Sequence, residues 1–124
     1  MSEEPVKEFA SNLADLCLSS EPLINMLTNL AGEYEAYAGK IVNVLEDHLT
    51  KIEAYRKLPA LYVMDSIIKN IRGLYPVLFE ENVVATYMNV YREVDLQTRF
   101  LMLLLRFSWS GIFSPENSRP LMIR

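Results

Sequence analysis

Apolar residues recur every three or four positions through most of the chain, the period of an α-helix. Residues 58–72 carry the pattern most completely. There Ala60, Val63, Met64, Ile67 and Ile71 fall within one arc of roughly 100°. That arc predicts a core face, and Leu61 and Ile68 widen it on one flank. Tyr62, Asp65, Lys69 and Arg72 lie on the other side. Pro59 suits a first helical turn, where its missing N–H has no partner to lose. Gly73 suits the cap that follows the last turn. The rest of the chain is expected to pack around this helix, with one side buried and the other facing a groove.

The same period predicts helices on either side. Residues 4–17 form a first helix through Val6, Phe9, Leu13 and Cys17, with Pro5 in its first turn. Ser19-Ser20-Glu21-Pro22 is a start signal: a serine cap, an acid and a first-turn proline. The second helix then buries Leu23, Leu27, Leu30 and Ala31, and Gly32 is expected to close it. A third, over about 34–53, uses Tyr34, Ala38, Ile41, Leu45, Leu49 and Ile52. After the central helix, Tyr75-Pro76 should break the chain, because a residue before proline avoids the helical region. A short turn is expected at 77–79, then a helix over 81–93 through Val83, Val84, Tyr87, Met88 and Tyr91. Asp95 should cap the last helix, 96–110, which has two apolar stripes. One is Phe100, Leu103, Leu104 and Phe107; the other is Leu101, Met102, Leu105 and Trp109. A helix apolar on two sides lies between neighbours. Gly111 should end it, and a polar loop over 114–119 leads to a short apolar end. With no strand pattern or repeat, the expectation is an all-α domain of helices packed in sequence.

Composition changes this picture little. The chain has 124 residues, enough for one domain with a real core. Charge is uneven along it. Residues 1–53 carry 3 basic and 10 acidic side chains, residues 54–93 carry 5 and 4, and residues 94–124 carry 4 and 2. An acidic first half argues against non-specific nucleic-acid binding, yet leaves room for a local basic spot. Cys17 is the single cysteine and rules out an internal disulfide; its register suggests a core role. The single histidine, His48, reads as a solvated helical residue. No signal peptide is visible at the N-terminus. The densest apolar run, residues 100–105, is far short of the roughly 20 residues a membrane span needs.

The chemistry-bearing residues are few. There is no glycine-rich phosphate loop, no paired histidine and glutamate at metal spacing, and no nucleophile elbow. No catalytic residue, metal or cofactor is expected, and the chain reads as a binding module rather than an enzyme. Asp65 is the residue to weigh. It could simply pair with Lys69 one turn on, worth about 0.2–0.5 kcal/mol. With Tyr62 one turn before it, it could instead accept a phenol O–H from a ligand. The residues alone leave both open. In either case Asp65 lies off the core arc, so its replacement is expected to spare the helix.

The segment Leu61-Tyr62-Val63-Met64-Asp65-Ser66-Ile67-Ile68-Lys69-Asn70 resembles the signature of the domain that binds the C-terminal repeats of RNA polymerase II, the CID. Supporting pieces occur in order: Ser20-Glu21-Pro22-Leu23-Ile24, Asn82 with Tyr87, Val94-Asp95 with Thr98-Arg99, and Trp109 with Ile112-Phe113. Within the family the chain is most similar to the branch found in the large subunit of the pre-mRNA cleavage complex.

The resemblance implies a right-handed superhelix of about seven to eight helices, of the kind shared with the VHS and ENTH adaptor domains. It implies one domain over residues 1–124 with the last helix missing, so that some of Leu101, Met102, Leu105 and Trp109 should lie uncovered. The implied ligand is the heptad Tyr-Ser-Pro-Thr-Ser-Pro-Ser, favoured with phosphoserine at its second position. The peptide would lie between the second, fourth and last helices. Asp65 would accept the heptad tyrosine hydroxyl, with Tyr62, Ile68 and Lys69 around it. Ser20, Leu23 and Ile24 would meet the peptide turn, and Leu101, Leu105 and Arg106 would contribute from the last helix. Some relatives place a base where this chain has Leu104, so only a modest phosphate preference is expected. The implied role is nuclear: coupling transcription to pre-mRNA 3′-end cleavage, polyadenylation and termination. Other processing factors would be met through regions outside this chain, with weak or no nucleic-acid binding and no membrane. The alternative is a trafficking adaptor of the VHS or ENTH type, which reads sorting peptides or phosphoinositides.

Overall fold

A computed structural model describes residues 4–113. The described residues form seven α-helices and no strand: α1 (Glu4–Ala14), α2 (Glu21–Glu33), α3 (Ala38–Lys51), α4 (Ala54–Asn70), α5 (Tyr75–Glu80), α6 (Val83–Glu93) and α7 (Leu96–Phe107). A single 3-10 turn, Glu35–Tyr37, joins α2 to α3. Helices pack mainly against their second neighbours: α1 on α3, α2 on α4, α3 on α5, and α4 on α6. Short loops and this alternation wind the chain into a superhelix. The loop carrying the expected polar stretch 114–119 and the end of the chain lie outside the described residues.

The central helix is longer than its sequence pattern predicts. It begins at Ala54, so Pro59 sits in its second turn instead of its first. The ring cannot donate to the Tyr55 carbonyl, and the helix accepts that loss because Pro59 is buried against the core. Ala60, Leu61, Val63, Met64, Ile67 and Ile68 are all buried. Leu61 and Ile68, which widen the core arc in the sequence, are thus core residues.

Several punctuation residues act differently from expectation. Gly32 does not close α2; it lies inside the helix, where an added Cβ would stand 2.8 Å from Ile71 Cδ1. It is a close-approach glycine that lets α2 sit on the end of α4. Tyr75-Pro76 opens α5 instead of breaking the chain, since proline is welcome in a first turn. The Tyr75 hydroxyl donates to the Ala31 carbonyl at 2.8 Å, deep between α2 and α5. Burial drives that phenol's pKa well up. The residue that turns inward after α1 is Leu16, and Cys17 is exposed. α1 ends three residues earlier than its periodicity suggests, which rotates Cys17 outward. His48 is half-buried instead of solvated, and its pKa is lowered, first by burial and then by Arg56.

Two cations bind distant parts of the chain to the start of α4. The Arg56 guanidinium donates to the carbonyls of Ala14 at 2.6 Å and Leu16 at 3.1 Å, capping the end of α1. Lys57 is buried; its ammonium donates to the Leu49 carbonyl at 2.6 Å and pairs with Glu93 at 3.0 Å. These bonds join α1, α3 and α6 to one turn of α4.

The two stripes of α7 resolve into one buried and one open. Met102, Leu105 and Trp109 are core, so of the four residues among which some were expected to lie uncovered only Leu101 is partly open. Phe100 and Phe107 are exposed, at 61% and 70%, and so is Leu104. α4 and the Tyr87 ring supply the neighbours of the buried stripe, Tyr87 standing edge-on to Trp109 at 6.2 Å.

Arg72 and Gly73 both have positive φ, at 64° and 50°, and carry the chain from α4 to α5. A Cβ on Gly73 would collide with the Glu35 carboxylate, which accepts the Leu74 N–H at 3.2 Å. Gly73→Ala should therefore cost at least the about 1–2 kcal/mol of a left-handed residue, and more if Glu35 is displaced. Gly39→Ala, in α3 with open space around it, is the control. Chemical denaturation of both variants checks this, with Gly39→Ala expected to be as stable as the parent or more so.

Candidate functional site

Three helices lie side by side and run the same way. α4 is flanked by α2 and α7. The Thr28 hydroxyl meets Ser66 Oγ at 2.7 Å, which ties the middle of α2 to α4. Lys69 Nζ donates to Ser108 Oγ at 2.6 Å, which ties the end of α7 to α4 on the opposite flank. At 100° per residue, Tyr62 and Lys69 fall on α4 between Asp65, on the α7 side, and Ser66, on the α2 side. They floor a groove whose walls are α2 and α7.

Asp65 is held by two partners. Its Oδ1 accepts the Trp109 indole N–H at 2.8 Å and pairs with Lys69 Nζ at 2.7 Å. Both contacts use the same oxygen, so Oδ2 remains for a further donor. Trp109 is 2% exposed, so its N–H depends on this carboxylate. Tyr62 is half-buried beside it. Burial first, then the Asp65 charge, pushes the Tyr62 phenol above its ordinary range, so it stays a neutral hydrogen-bonding group near neutral pH. The pairing with Lys69 thus exists, but it is one strand of a network reaching α7 through both Trp109 and Ser108.

The ten residues expected at the site divide by place. Tyr62, Asp65 and Lys69 lie on the α4 strip that floors the groove, all half-buried. Ser20 is exposed and caps α2, its Oγ accepting the Leu23 N–H at 3.5 Å; Leu23 and Ile24 follow, half-buried. Leu101 is half-buried on α7, and Leu105 is nearly covered beside it. Two stand apart. Ile68 is 1% exposed and supports the floor from beneath. Arg106 is 7% exposed, with its guanidinium 6.0 Å from the Phe107 ring, and it points away from the strip of α7 that holds Leu101, Leu104 and Ser108. Trp109, Ser108 and Thr28 join the site only through space. The separations of 44, 39 and 38 residues from their partners leave no local trace, although a threonine on the apolar face of α2 is a faint one.

The fold and site define a class: an all-α superhelical domain with one groove, floored by a central helix and carrying a fixed carboxylate. The model of the CID domain matches residues 7–121, and the chain belongs to that family. The crystal structure of the RPR of Pcf11 superposes with a TM-score of 0.86 at 31% identity, covering 91% of this chain and 92% of that one. Among curated relatives, protein PCF11 of Saccharomyces cerevisiae is 35% identical over 87% of this chain and 17% of its own length. The polyadenylation and cleavage factor homolog 11 of Caenorhabditis elegans is 32% identical over 92% of this chain and 14% of its own. Human SR-related and CTD-associated factor 8 is 26% identical over 96% and 10%. The chain therefore spans less than a fifth of these relatives. Of the two superhelical families weighed from sequence, the trafficking adaptors give way to the CID.

Proposed function

We propose that this domain is a protein-interaction module, not an enzyme, that binds the heptad repeats Tyr-Ser-Pro-Thr-Ser-Pro-Ser of the RNA polymerase II C-terminal domain. The observation that carries the reading is the Asp65 carboxylate, fixed by Trp109 and Lys69 through Oδ1 with Oδ2 left over at the groove floor. A tyrosine hydroxyl donates to Oδ2, while Tyr62 and the half-buried Leu23, Ile24 and Leu101 give the peptide apolar walls. The start of α2, capped by Ser20, receives the peptide turn. A relative named for association with the CTD supports this partner, and one named as a polyadenylation and cleavage factor homolog supports the processing context.

Phosphoserine at the second heptad position is preferred only modestly, since Leu104 stands where a base would clamp it and Arg106 is buried. The domain acts in the nucleus, coupling transcription to 3′-end cleavage, polyadenylation and termination. Other processing factors bind regions beyond residues 1–124, which form a single domain. Titration of a labelled two-repeat peptide tests the reading against a scrambled peptide of the same composition and against anionic liposomes. Saturable binding to the heptads alone is expected; equal binding to the scrambled peptide or preference for liposomes overturns it.

A further inference from the structure

Away from the heptad groove, α3 and α6 run side by side and the same way. Asn82, at the start of α6, donates from Nδ2 to Glu46 Oε1 in the middle of α3 at 3.2 Å. Lys57 joins the Leu49 carbonyl, near the end of α3, to Glu93, at the end of α6. At 100° per residue, Asn43, Glu46, Asp47 and Thr50 share one strip of α3. Asn82, Ala85, Thr86 and Asn89 share one strip of α6. The two strips frame a pocket of about 190 Å³, and the buried Leu49 and Val90 form its base. No residue of this pocket belongs to the Asp65 groove, which α2, α4 and α7 form.

Glu46 sets the chemistry of the pocket. Its Oε1 has the Asn82 amide, but Oε2 is buried without a hydrogen-bond partner. Burial pushes its carboxyl above the usual range; the Asn82 bond pulls it back, and the nearby Glu81 charge raises it further. No lysine or arginine lines the pocket or the shallow hollow that continues it along α3 past Asn43 and Val44. Asp47, in that hollow, is already answered by Lys51 at 2.8 Å; Glu46 has no such partner. A carboxylate oxygen withheld from water without a donor is unfavourable, so a donor brought to it recovers the loss. Glu46 lines the pocket, and rotation about its own side-chain bonds brings Oε2 to a guest there.

The neighbours narrow the choice of guest. Thr50 spends its O–H on the Asp47 carbonyl at 2.7 Å, and Asn82 spends an N–H on Glu46, which leaves both with oxygens that accept. A guanidinium carries five donors in one plane and can serve several acceptors at once. Asn89 gives its Oδ1 to Arg92 at 3.2 Å, so its NH2 donates. Donors and acceptors along the rim suit the open backbone of an extended peptide, whereas a helix has satisfied its own. Each strip spans seven residues, about 10 Å at 1.5 Å per residue, the length of about three extended residues.

We propose that the pocket between α3 and α6 is a second interaction surface, which takes an extended, arginine-bearing segment of a partner protein. The guanidinium enters to meet Glu46, and the backbone runs along the Asn82 and Asn89 amides. This surface does not depend on the heptad reading.

The probe is the capped peptide Ala-Ala-Arg-Ala-Ala, and its control carries citrulline, of nearly the same shape without the charge, in place of arginine. Both are titrated at 0.15 M salt, where attraction between well-separated exposed charges is largely screened, while NMR follows the backbone amides of the domain. The arginine peptide is expected to shift Glu46, Thr50, Asn82 and Asn89 saturably and to bind roughly tenfold tighter than the control. Glu46→Gln should lose that tenfold and melt no lower than the parent, because a neutral amide is cheaper to bury than a carboxylate. Ala85→Arg, at an exposed position of the same pocket, supplies a guanidinium from within and should block the peptide while the domain folds. Equal binding of the citrulline peptide overturns the proposal. So do shifts that lie on other acidic parts of the surface, or binding that both variants leave unchanged.

Discussion

Asp65→Ala is expected to weaken heptad binding by roughly tenfold to a hundredfold, the worth of a hydrogen bond to a charged acceptor, and to lower stability as well. The second effect runs against the sequence expectation that a residue off the core arc can be replaced without harm. Asp65 Oδ1 is the acceptor of the Trp109 N–H, and Trp109 is buried. Truncation leaves that N–H unpaired at a cost of about 1–3 kcal/mol. Loss of affinity in Asp65→Ala could then follow from a displaced α7 as well as from the missing acceptor. Asp65→Asn separates the two. Its amide oxygen can still take the indole N–H, so most of the stability should return. The position of Oδ2 then carries an NH2, which donates instead of accepting, so the bond from the heptad tyrosine hydroxyl is lost and affinity should fall much as in Asp65→Ala. The ion pair with Lys69 is also lost, but both partners reach solvent and it contributes little. Titration and thermal melting of both variants read the difference. If Asp65→Asn is stable and binds as tightly as the parent, Asp65 does not contact the peptide.

Leu104→Arg should create a phosphate reader. On sequence alone the substitution carried a risk, because Leu104 shares an apolar stripe with Phe100 and Phe107. That stripe is the open one. Leu104 is 52% exposed, so an arginine there keeps its charge in water and the domain should fold. Leu104 also lies one turn before Ser108, which touches Lys69 at the groove. A guanidinium at 104 thus reaches the groove edge, where it can bind the phosphoserine with charge-assisted, often bidentate bonds. The phosphate carries about −1.5 to −2 charges at neutral pH. Preference for the phosphorylated heptad should rise about tenfold over the parent. In the parent, by contrast, the modest preference should fade as salt rises past about 0.15 M, because it depends on attraction between exposed charges. Phosphorylated and plain peptides, each at two salt concentrations, check both statements. A strong, salt-insensitive preference in the parent would mean that a cation already clamps the phosphate. Lys69, at the groove, would then be the first suspect, and buried Arg106 the last.

Much of this protein is written in its periodicity. Val63, Met64 and Ile67 recur at helical spacing and are buried, as are Leu27, Ala31, Ile41 and Leu45. Burial of one face per helix is a local pattern, and local patterns survive in a sequence. The Asp95 cap was legible for the same reason, since its partner Thr98 is three residues away. So was the strip of Tyr62, Asp65 and Lys69, because one helix is enough to define it. What surrounds that strip was settled only by packing. Which stripe of α7 faces inward depends on where α4 and α6 lie, and both stripes are equally apolar in sequence. Pro59 and Gly32 are ambiguous marks, start or interior and stop or interior, until the neighbouring helix decides how much burial offsets a lost hydrogen bond or demands a missing Cβ. Above all, Asp65 and Trp109 are 44 residues apart. Their bond arises because α7 returns along α4 after two intervening helices, and no local spacing encodes a contact that the chain makes only by folding back on itself.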